Sequence, residues 1–396
     1  MKELHVAIDG ACWSNDRGFG RFTRELVRAL VLRGPREGLR YTIILEGLPP
    51  DTHPERRLPE GVAIRRVGVK PVAEAVVAGG ARGPLHLARI GRAIESVGAN
   101  VVFFPAIYSW APVASRVPQV LTIHDAIPER FPELVFPARR NRMLWLLKSA
   151  LARRRARRVL TVSQSSAREI AEHLGVPPTR IDVTVEAADA RFTRCSDADA
   201  DIARAALKLP PGPLLLYVGG FNPHKNVLAL LEALRRLPAP CPPLALLGDT
   251  SGTGFYDNLG AIRAWLSAHP EIATRVTMPG RVPDDVLVRL YSAATALVLP
   301  SLAEGFGLPA VEAMACGCPV LASDRTSLPE VVGDGGLLFD PQDPAAIAGA
   351  IARVVGDESL AADLRQRAIR RAGSFSWDRG AALTEVSLRR AMEDPP

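Results

Sequence analysis

Short apolar runs alternate along this chain with longer segments whose apolar residues recur at helical spacing. The runs at 5–9, 41–45, 63–67, 101–104, 119–124, 159–162 and 181–185 read as strands. Each is brief, rich in Val, Ile and Leu, and bounded by turn-forming residues. Between them, 22–32, 85–96 and 167–174 carry a helical pattern, the last opening on Ser163-Gln-Ser-Ser as a cap. The pattern breaks at Leu209-Pro-Pro-Gly-Pro213 and then resumes. Strands are predicted at 214–218, 244–248, 276–278, 296–299, 320–322 and 337–339, separated by helices at 227–237, 256–269, 284–293, 309–314 and 344–355.

Alternation of this kind predicts an α/β protein with parallel sheets. At 396 residues the chain exceeds what one core covers, so two domains are expected, 1–208 and 209–375. A closing helix within 376–396 is expected to pack back on the first. Two doubly wound, Rossmann-like domains would turn their strand C-terminal ends toward one cleft, where ligands of such sheets bind.

Hydrophobic residues make up 47% of the chain, enough for two cores and too much for a disordered protein. Residues 1–9 lead directly into a strand without the charged start and long apolar run of a leader, and no apolar stretch of about 18 residues occurs. The expected location is therefore cytoplasmic. Five cysteines, Cys12, Cys195, Cys241, Cys316 and Cys318, lack metal-ligand or CxxC spacing and are expected to be reduced.

The net charge of +7 is concentrated between Ala138 and Arg158, where nine basic residues meet no acidic one and are interleaved with Met143, Leu144, Trp145, Leu146, Leu147 and Leu151. One reading is a helix that packs by its leucines and solvates its arginines. Another is a surface drawn to an anionic membrane, on the inner face of the cell membrane, or to a phosphorylated acceptor. Nucleic acid is not expected as a partner, because no recognition motif or aromatic-rich surface accompanies the charge.

The strongest chemical signal lies in Pro300-Ser-Leu-Ala-Glu-Gly-Phe-Gly-Leu-Pro-Ala-Val-Glu312, directly after the predicted strand 296–299. Gly305 and Gly307 permit a tight turn, and Leu308-Pro309 suits a helix start because proline's missing N–H is not needed there. Unpaired N–H groups at such a start favour a phosphate. Glu304 and Glu312 then face one crevice, and ionised carboxylates accept several hydrogen bonds from sugar hydroxyls.

These residues resemble the retaining nucleotide-sugar glycosyltransferases of glycosyltransferase family 4. Glu304-x7-Glu312 within PSLAEGFGLPAVEAMACGCPVLASD carries most of the likeness, joined by Leu328-Pro-Glu-Val-Val332, Gly335-Gly-Leu-Leu-Phe339, Gly18-Phe-Gly-Arg21, His124-Asp125, Tyr217-Val-Gly219 leading to Lys225-Asn226, and Gly280-Arg-Val282. The resemblance implies two Rossmann-like domains of GT-B type and transfer of a hexose from a nucleoside-diphosphate sugar. Mannose is the first choice, on the NPHKN loop, and glucose the next.

Carried over, the resemblance makes Glu304, His124 and Lys225 catalytic. Lys225 and the N–H groups of Gly307 and Leu308 would hold the diphosphate, Glu304 and His124 the sugar, Glu312 the ribose, and Arg281 and Val282 the base. Gly18, Gly20, Arg21, Gly219, Gly220, Asn226, Gly305 and Phe306 would complete donor binding. Family members often carry an arginine directly after the loop glycine; Gly220 stands there in this chain, so His224, Arg17 or Arg21 are candidates to supply the missing cation. No cofactor and no metal are implied, since a DxD-type motif is absent from a matching context. The acceptor, a saccharide or a lipid-linked glycan in polysaccharide, glycolipid or cell-envelope synthesis, would be met by loops at 68–87 and 108–118. A two-Rossmann epimerase or phosphorylase and a non-catalytic sugar-nucleotide binder are the rival classes.

Overall fold

The computed structural model describes residues 3–15, 17–46, 57–68, 83–136, 138–238, 241–250 and 258–394. Most of the expected acceptor loop 68–87 and the start of the expected helix 256–269 lie outside them. The chain divides into two compact units, Met1–Glu186 with Ser376–Pro396, and Ala187–Phe375.

The first unit contains β1 (Leu4–Asp9), β2 (Leu39–Glu46), β3 (Ala63–Val67), β4 (Val101–Phe104), β5 (Gln119–Thr122), β6 (Arg158–Thr161) and β7 (Ile181–Val183) in the order β3-β2-β1-β4-β5-β6-β7. The second contains β8 (Leu215–Val218), β9 (Leu244–Leu247), β10 (Val276–Gly280), β11 (Ala296–Leu299), β12 (Val320–Ser323) and β13 (Gly336–Phe339) in the order β10-β9-β8-β11-β12-β13. Every recorded strand pairing is parallel. Parallel strands covered on both faces become continuous apolar runs, and β1, β4, β5, β9, β11 and β12 are buried along their whole length.

Helices fill the crossovers, among them α1 (Gly18–Glu37), α2 (Arg139–Arg155), α3 (Asp197–Ala206), α4 (Val227–Arg236), α5 (Asp284–Ala293), α6 (Leu308–Ala315), α7 (Glu358–Ala372) and α8 (Trp377–Glu393). The change of unit comes at Glu186/Ala187, ahead of the 208/209 boundary expected from the proline-rich break. The reason is α3, which packs against α5 of the second unit and buries Ala200, Ala203 and Arg204. Its DADADIARAA sequence has few large apolar residues, so periodicity did not reveal it.

The closing helix α8 belongs to the first unit and packs along α1. Asp182 of β7 receives Arg158 at 2.6 Å, Arg390 at 2.8 Å and the Ser387 hydroxyl at 2.7 Å. Burial alone would raise the Asp182 carboxyl, but these partners hold it below the usual carboxylate range. Thr184 donates to the Gly380 carbonyl at 2.8 Å, and a Cβ on Gly380 would stand 2.7 Å from the Val185 carbonyl oxygen.

The basic helix α2 reverses the expected packing. Its buried residues are Trp145, Ser149 and Ala152, while Met143, Leu144, Leu146, Leu147 and Leu151 are exposed. Trp145 lies against Tyr108 and Phe136 and donates to Glu129 at 2.7 Å. Several arginines are committed within the fold: Arg153 donates to the Leu174 carbonyl, Arg155 to Val113 at 2.6 Å and Ser115 at 2.7 Å, and Arg157 to Asp394 at 2.8 Å.

Burial pushes the Glu129 carboxyl up to about 7 from an ordinary 4.5, despite the Trp145 hydrogen bond. Between those values the folded state keeps a proton that the unfolded chain has lost, so Glu129 makes stability fall as pH rises through this window. Glu129→Gln keeps an acceptor for Trp145 and removes that charge. Thermal unfolding followed against pH should show the variant matching wild type in acid and exceeding it above neutrality by on the order of 1 kcal/mol. Parallel curves would remove Glu129 as the titrating group.

Candidate active site

The second sheet brings two loops together by topology alone. Its strand order reverses between β8 and β11, which pair directly, so the loops leaving their C-terminal ends, 219–226 and 300–307, are neighbours. Such a switch point is where open α/β sheets form ligand crevices.

The first loop is fixed by the Tyr217 hydroxyl, which donates to the Gly220 carbonyl, and by a single 3-10 turn, Pro223–Lys225. Asn226 then adopts the left-handed region at φ 57° at the residue before α4, with no side-chain cap to the helix. Its amide donates to the Pro300 carbonyl at 3.1 Å and to Pro341 at 2.7 Å, tying three loops at the strand ends. Leu302 N–H adds a bond to the His224 carbonyl at 2.8 Å.

The second loop is held from below by the segment after β12. Thr326 accepts from Glu304 N–H at 2.9 Å, and the Ser327 hydroxyl lies 2.9 Å from the carbonyls of both Glu304 and Phe306. Phe306 turns inward and meets Phe375 edge-on at 5.6 Å. Gly307 sits at φ 99°, a conformation that calls for glycine, and a Cβ there would also have to displace the Leu328 methyl 2.7 Å away. The helix α6 starts at the next residue with Pro309 in its first turn and no side-chain cap.

At the meeting of the two loops the Lys225 ammonium lies 2.7 Å from both carboxylate oxygens of Glu304. Ser301 donates to the same carboxylate at 2.7 Å. Burial alone would raise the Glu304 carboxyl, but Lys225 and the Ser301 hydroxyl outweigh it and hold it below the usual range. It is therefore an ionised acceptor at neutral pH.

Beside it, burial and the Lys225 charge push His224 down to about 4. His224 is thus neutral at pH 7 in the free protein. Its Nδ1 is buried with no hydrogen-bond partner among the described residues.

Glu312 lies within α6, buried at 4% exposure, one turn beyond Leu308. Gly219 and Gly220 open the first loop directly after β8; a Cβ on Gly220 would stand 2.7 Å from Asn222 Oδ1. Arg281 and Val282 follow β10, which β9 and β8 separate from β11.

The other sequence candidates belong to the first unit. His124 follows β5; its Nε2 lies 3.1 Å from the Pro105 carbonyl, its Nδ1 3.6 Å from Glu186, and Phe22 meets its ring edge-on at 4.6 Å. Gly18, Gly20 and Arg21 open α1, and a Cβ on Gly20 would collide with the Asn15 carbonyl oxygen at 2.0 Å.

The structure thus gathers Lys225, Glu304, Gly305, Phe306, Gly307 and Leu308 in one loop cluster, with Glu312 one turn into the helix that follows. Sequence reasoning missed the supports Ser301, Thr326 and Ser327. Ser301 stands inside the glutamate motif, and Thr326-Ser327 precede the Leu328 helix start, but a hydroxyl that braces a neighbouring loop leaves no periodic trace.

Comparison with known proteins gives two family matches. Residues 17–189 match the family described as Glycosyltransferase Family 4, and residues 199–371 match Glycosyl transferases group 1. The O-antigen chain mannosyltransferase B of Escherichia coli is 38% identical over 229 residues, covering 56% of this chain and 58% of that protein. The chain thus spans little more than half the length of that curated relative. The D-inositol 3-phosphate glycosyltransferase of Acidothermus cellulolyticus is 31% identical over 388 residues, covering 91% of this chain and 83% of that one. Among solved structures, HepE of Anabaena, crystallised with UDP-glucose, superposes with a TM-score of 0.71 at 19% identity over 99% of this chain and 100% of that one, a likeness of fold.

Proposed function

The chain belongs to glycosyltransferase family 4, with two parallel-sheet domains of GT-B type, and we propose that it moves a hexose from a nucleoside-diphosphate sugar to an acceptor hydroxyl with retention at the anomeric carbon. The observation that carries this reading is the half-buried Lys225–Glu304 pair beside the start of α6, which has no side-chain cap. It sets a cation, a helix start and an ionised acceptor at one switch point, which suits the diphosphate and hydroxyls of such a donor.

In this reading the arriving diphosphate draws the Lys225 ammonium and the N–H groups of Gly307 and Leu308, and Glu304 turns its acceptor oxygens to sugar hydroxyls. Negative charge grows on the departing phosphate as the C1–O bond breaks, and the preset cation and helix start stabilise it without reorganising. The acceptor hydroxyl attacks the same face, and its proton passes to the leaving phosphate oxygen. Lys225 and the helix N–H groups carry the phosphates in place of a metal. Glu312 is assigned to the ribose, Arg281 and Val282 to the base, and His124 to the donor sugar. Glycines 18, 20, 219, 220 and 305, with Arg21, Asn226 and Phe306, keep the donor-binding roles that the family likeness gives them.

GDP-mannose is the first choice of donor, supported by the E. coli mannosyltransferase likeness, and UDP-glucose the second. A saccharide or lipid-linked acceptor in cell-envelope or polysaccharide synthesis fits this class of relative. A thermal-shift panel of sugar nucleotides tests the donor. The true donor raises the melting temperature as its concentration passes the Kd, by about 2.7 kcal/mol of stability at 100 Kd. Stabilisation by none of the panel, or release of free hexose without transfer to any acceptor, counts against the proposal.

A further inference from the structure

We propose that the outward face of α2 docks this protein on an anionic lipid bilayer. The inference stands on the helix surface and does not depend on the sugar-transfer reading.

Residues Arg140, Met143, Leu147, Leu151 and Arg154 follow one another at spacings of three and four, which places them on a single ridge. That ridge is opposite Trp145, Ser149 and Ala152, which anchor the helix to the fold. Met143 is 70% exposed, Leu147 60% and Leu151 47%, and the flanking Leu144 and Leu146 are exposed as well. A water-facing helix side normally carries the polar residues; here it carries the apolar ones.

The charges around the ridge are equally one-sided. Arg139, Arg140, Arg142 and Arg154 are exposed, α2 holds no acidic residue, and Arg153, Arg155 and Arg157 are spent on backbone carbonyls. An apolar ridge bordered by arginines matches the boundary between acyl chains and anionic headgroups. The leucines enter the acyl region, and the arginine stems lie along it with their guanidinium groups at phosphate level. A second copy of the chain fits less well, because a symmetric contact would bring the same arginines against one another. A soluble polyanion would use the arginines and leave the leucines in water.

The test uses the full chain and co-sedimentation with vesicles of phosphatidylcholine alone or mixed with phosphatidylglycerol. Binding should rise with phosphatidylglycerol and fall with salt. Each arginine near such a surface is worth about fivefold in affinity, so the variant carrying Arg139→Gln, Arg140→Gln, Arg142→Gln and Arg154→Gln should bind at least about tenfold more weakly. Met143→Ser, Leu147→Ser and Leu151→Ser together should remove the binding that survives high salt. Since all these side chains are exposed, both variants should melt with wild type. Equal sedimentation with both vesicle types overturns the proposal. So does a wild-type dimer that the serine variant converts to monomer, which would assign the ridge to a second copy.

Discussion

Glu304→Gln lowers sugar-nucleotide turnover by roughly 30- to 1000-fold while the protein stays folded, the expected loss of about 2–4 kcal/mol when a charged contact strengthened in the transition state is removed. Glutamine fills the same space and keeps an oxygen for Ser301, so the loop clamped by Thr326 and Ser327 should keep its course. What disappears is the negative charge facing Lys225 and the second acceptor for sugar hydroxyls. The depressed Glu304 carboxyl also stabilises the fold: that contribution is present above the ordinary value of 4.5 and is lost as pH falls through the lower folded value. The acid limb of the stability curve should therefore be shallower in the variant. Near-wild-type turnover in a folded Glu304→Gln protein would remove this carboxylate from the chemistry.

Lys225→Met has the other large expected effect, and it reaches the free protein as well as the reaction. Breaking a fully buried pair by removing one partner costs about 3–5 kcal/mol because the remaining charge is stranded, and a half-buried pair such as this one costs less. Glu304, only 11% exposed, would be that charge. Melting should fall sharply in Lys225→Met and recover in the double variant Lys225→Met/Glu304→Gln, where no charge is left uncompensated. Donor affinity should not recover, since the cation that meets the diphosphate is missing from both. Additive losses of stability would mean that the two side chains do not act as a pair. Wild-type transfer should persist in excess EDTA; its abolition, with rescue by magnesium or manganese, would give the phosphate role to a metal.

Period carried most of the fold. The thirteen strands of the described residues lie where short apolar runs predicted them, and the central ones do so because strands covered on both faces must be apolar throughout. Among the longer helices, α3 and α7 escaped, whose buried sides are thin. Only Ala200, Ala203 and Arg204 are buried in α3, and Leu364, Ala368 and Ala372 in α7. Alanine leaves little contrast between faces, so the break visible in the sequence is the proline-rich 209–213 rather than the start of α3.

In the site, Glu304 and Lys225 were legible as residue types in motifs, but their contact was not. It follows from β8 and β11 being neighbours, a long-range pairing that no local spacing encodes. The same limit applies to α2. Leucines and arginines at helical spacing announce an amphipathic helix, but only the environment of Trp145 shows which side is inward.

The placement of α8 has a consequence for how the polypeptide is made. A ribosome delivers β1 to β7 early, yet the partners that close that sheet, Ser387, Arg390 and the Gly380 carbonyl, are translated only after the whole of residues 187–375. The second unit, continuous in sequence, is complete first. The first waits with the surface destined for α8 uncovered, in the kind of intermediate that aggregates or recruits chaperones. A released chain ending at Phe375 should therefore contain a folded second unit and a protease-sensitive first one, in the reverse of their order along the gene.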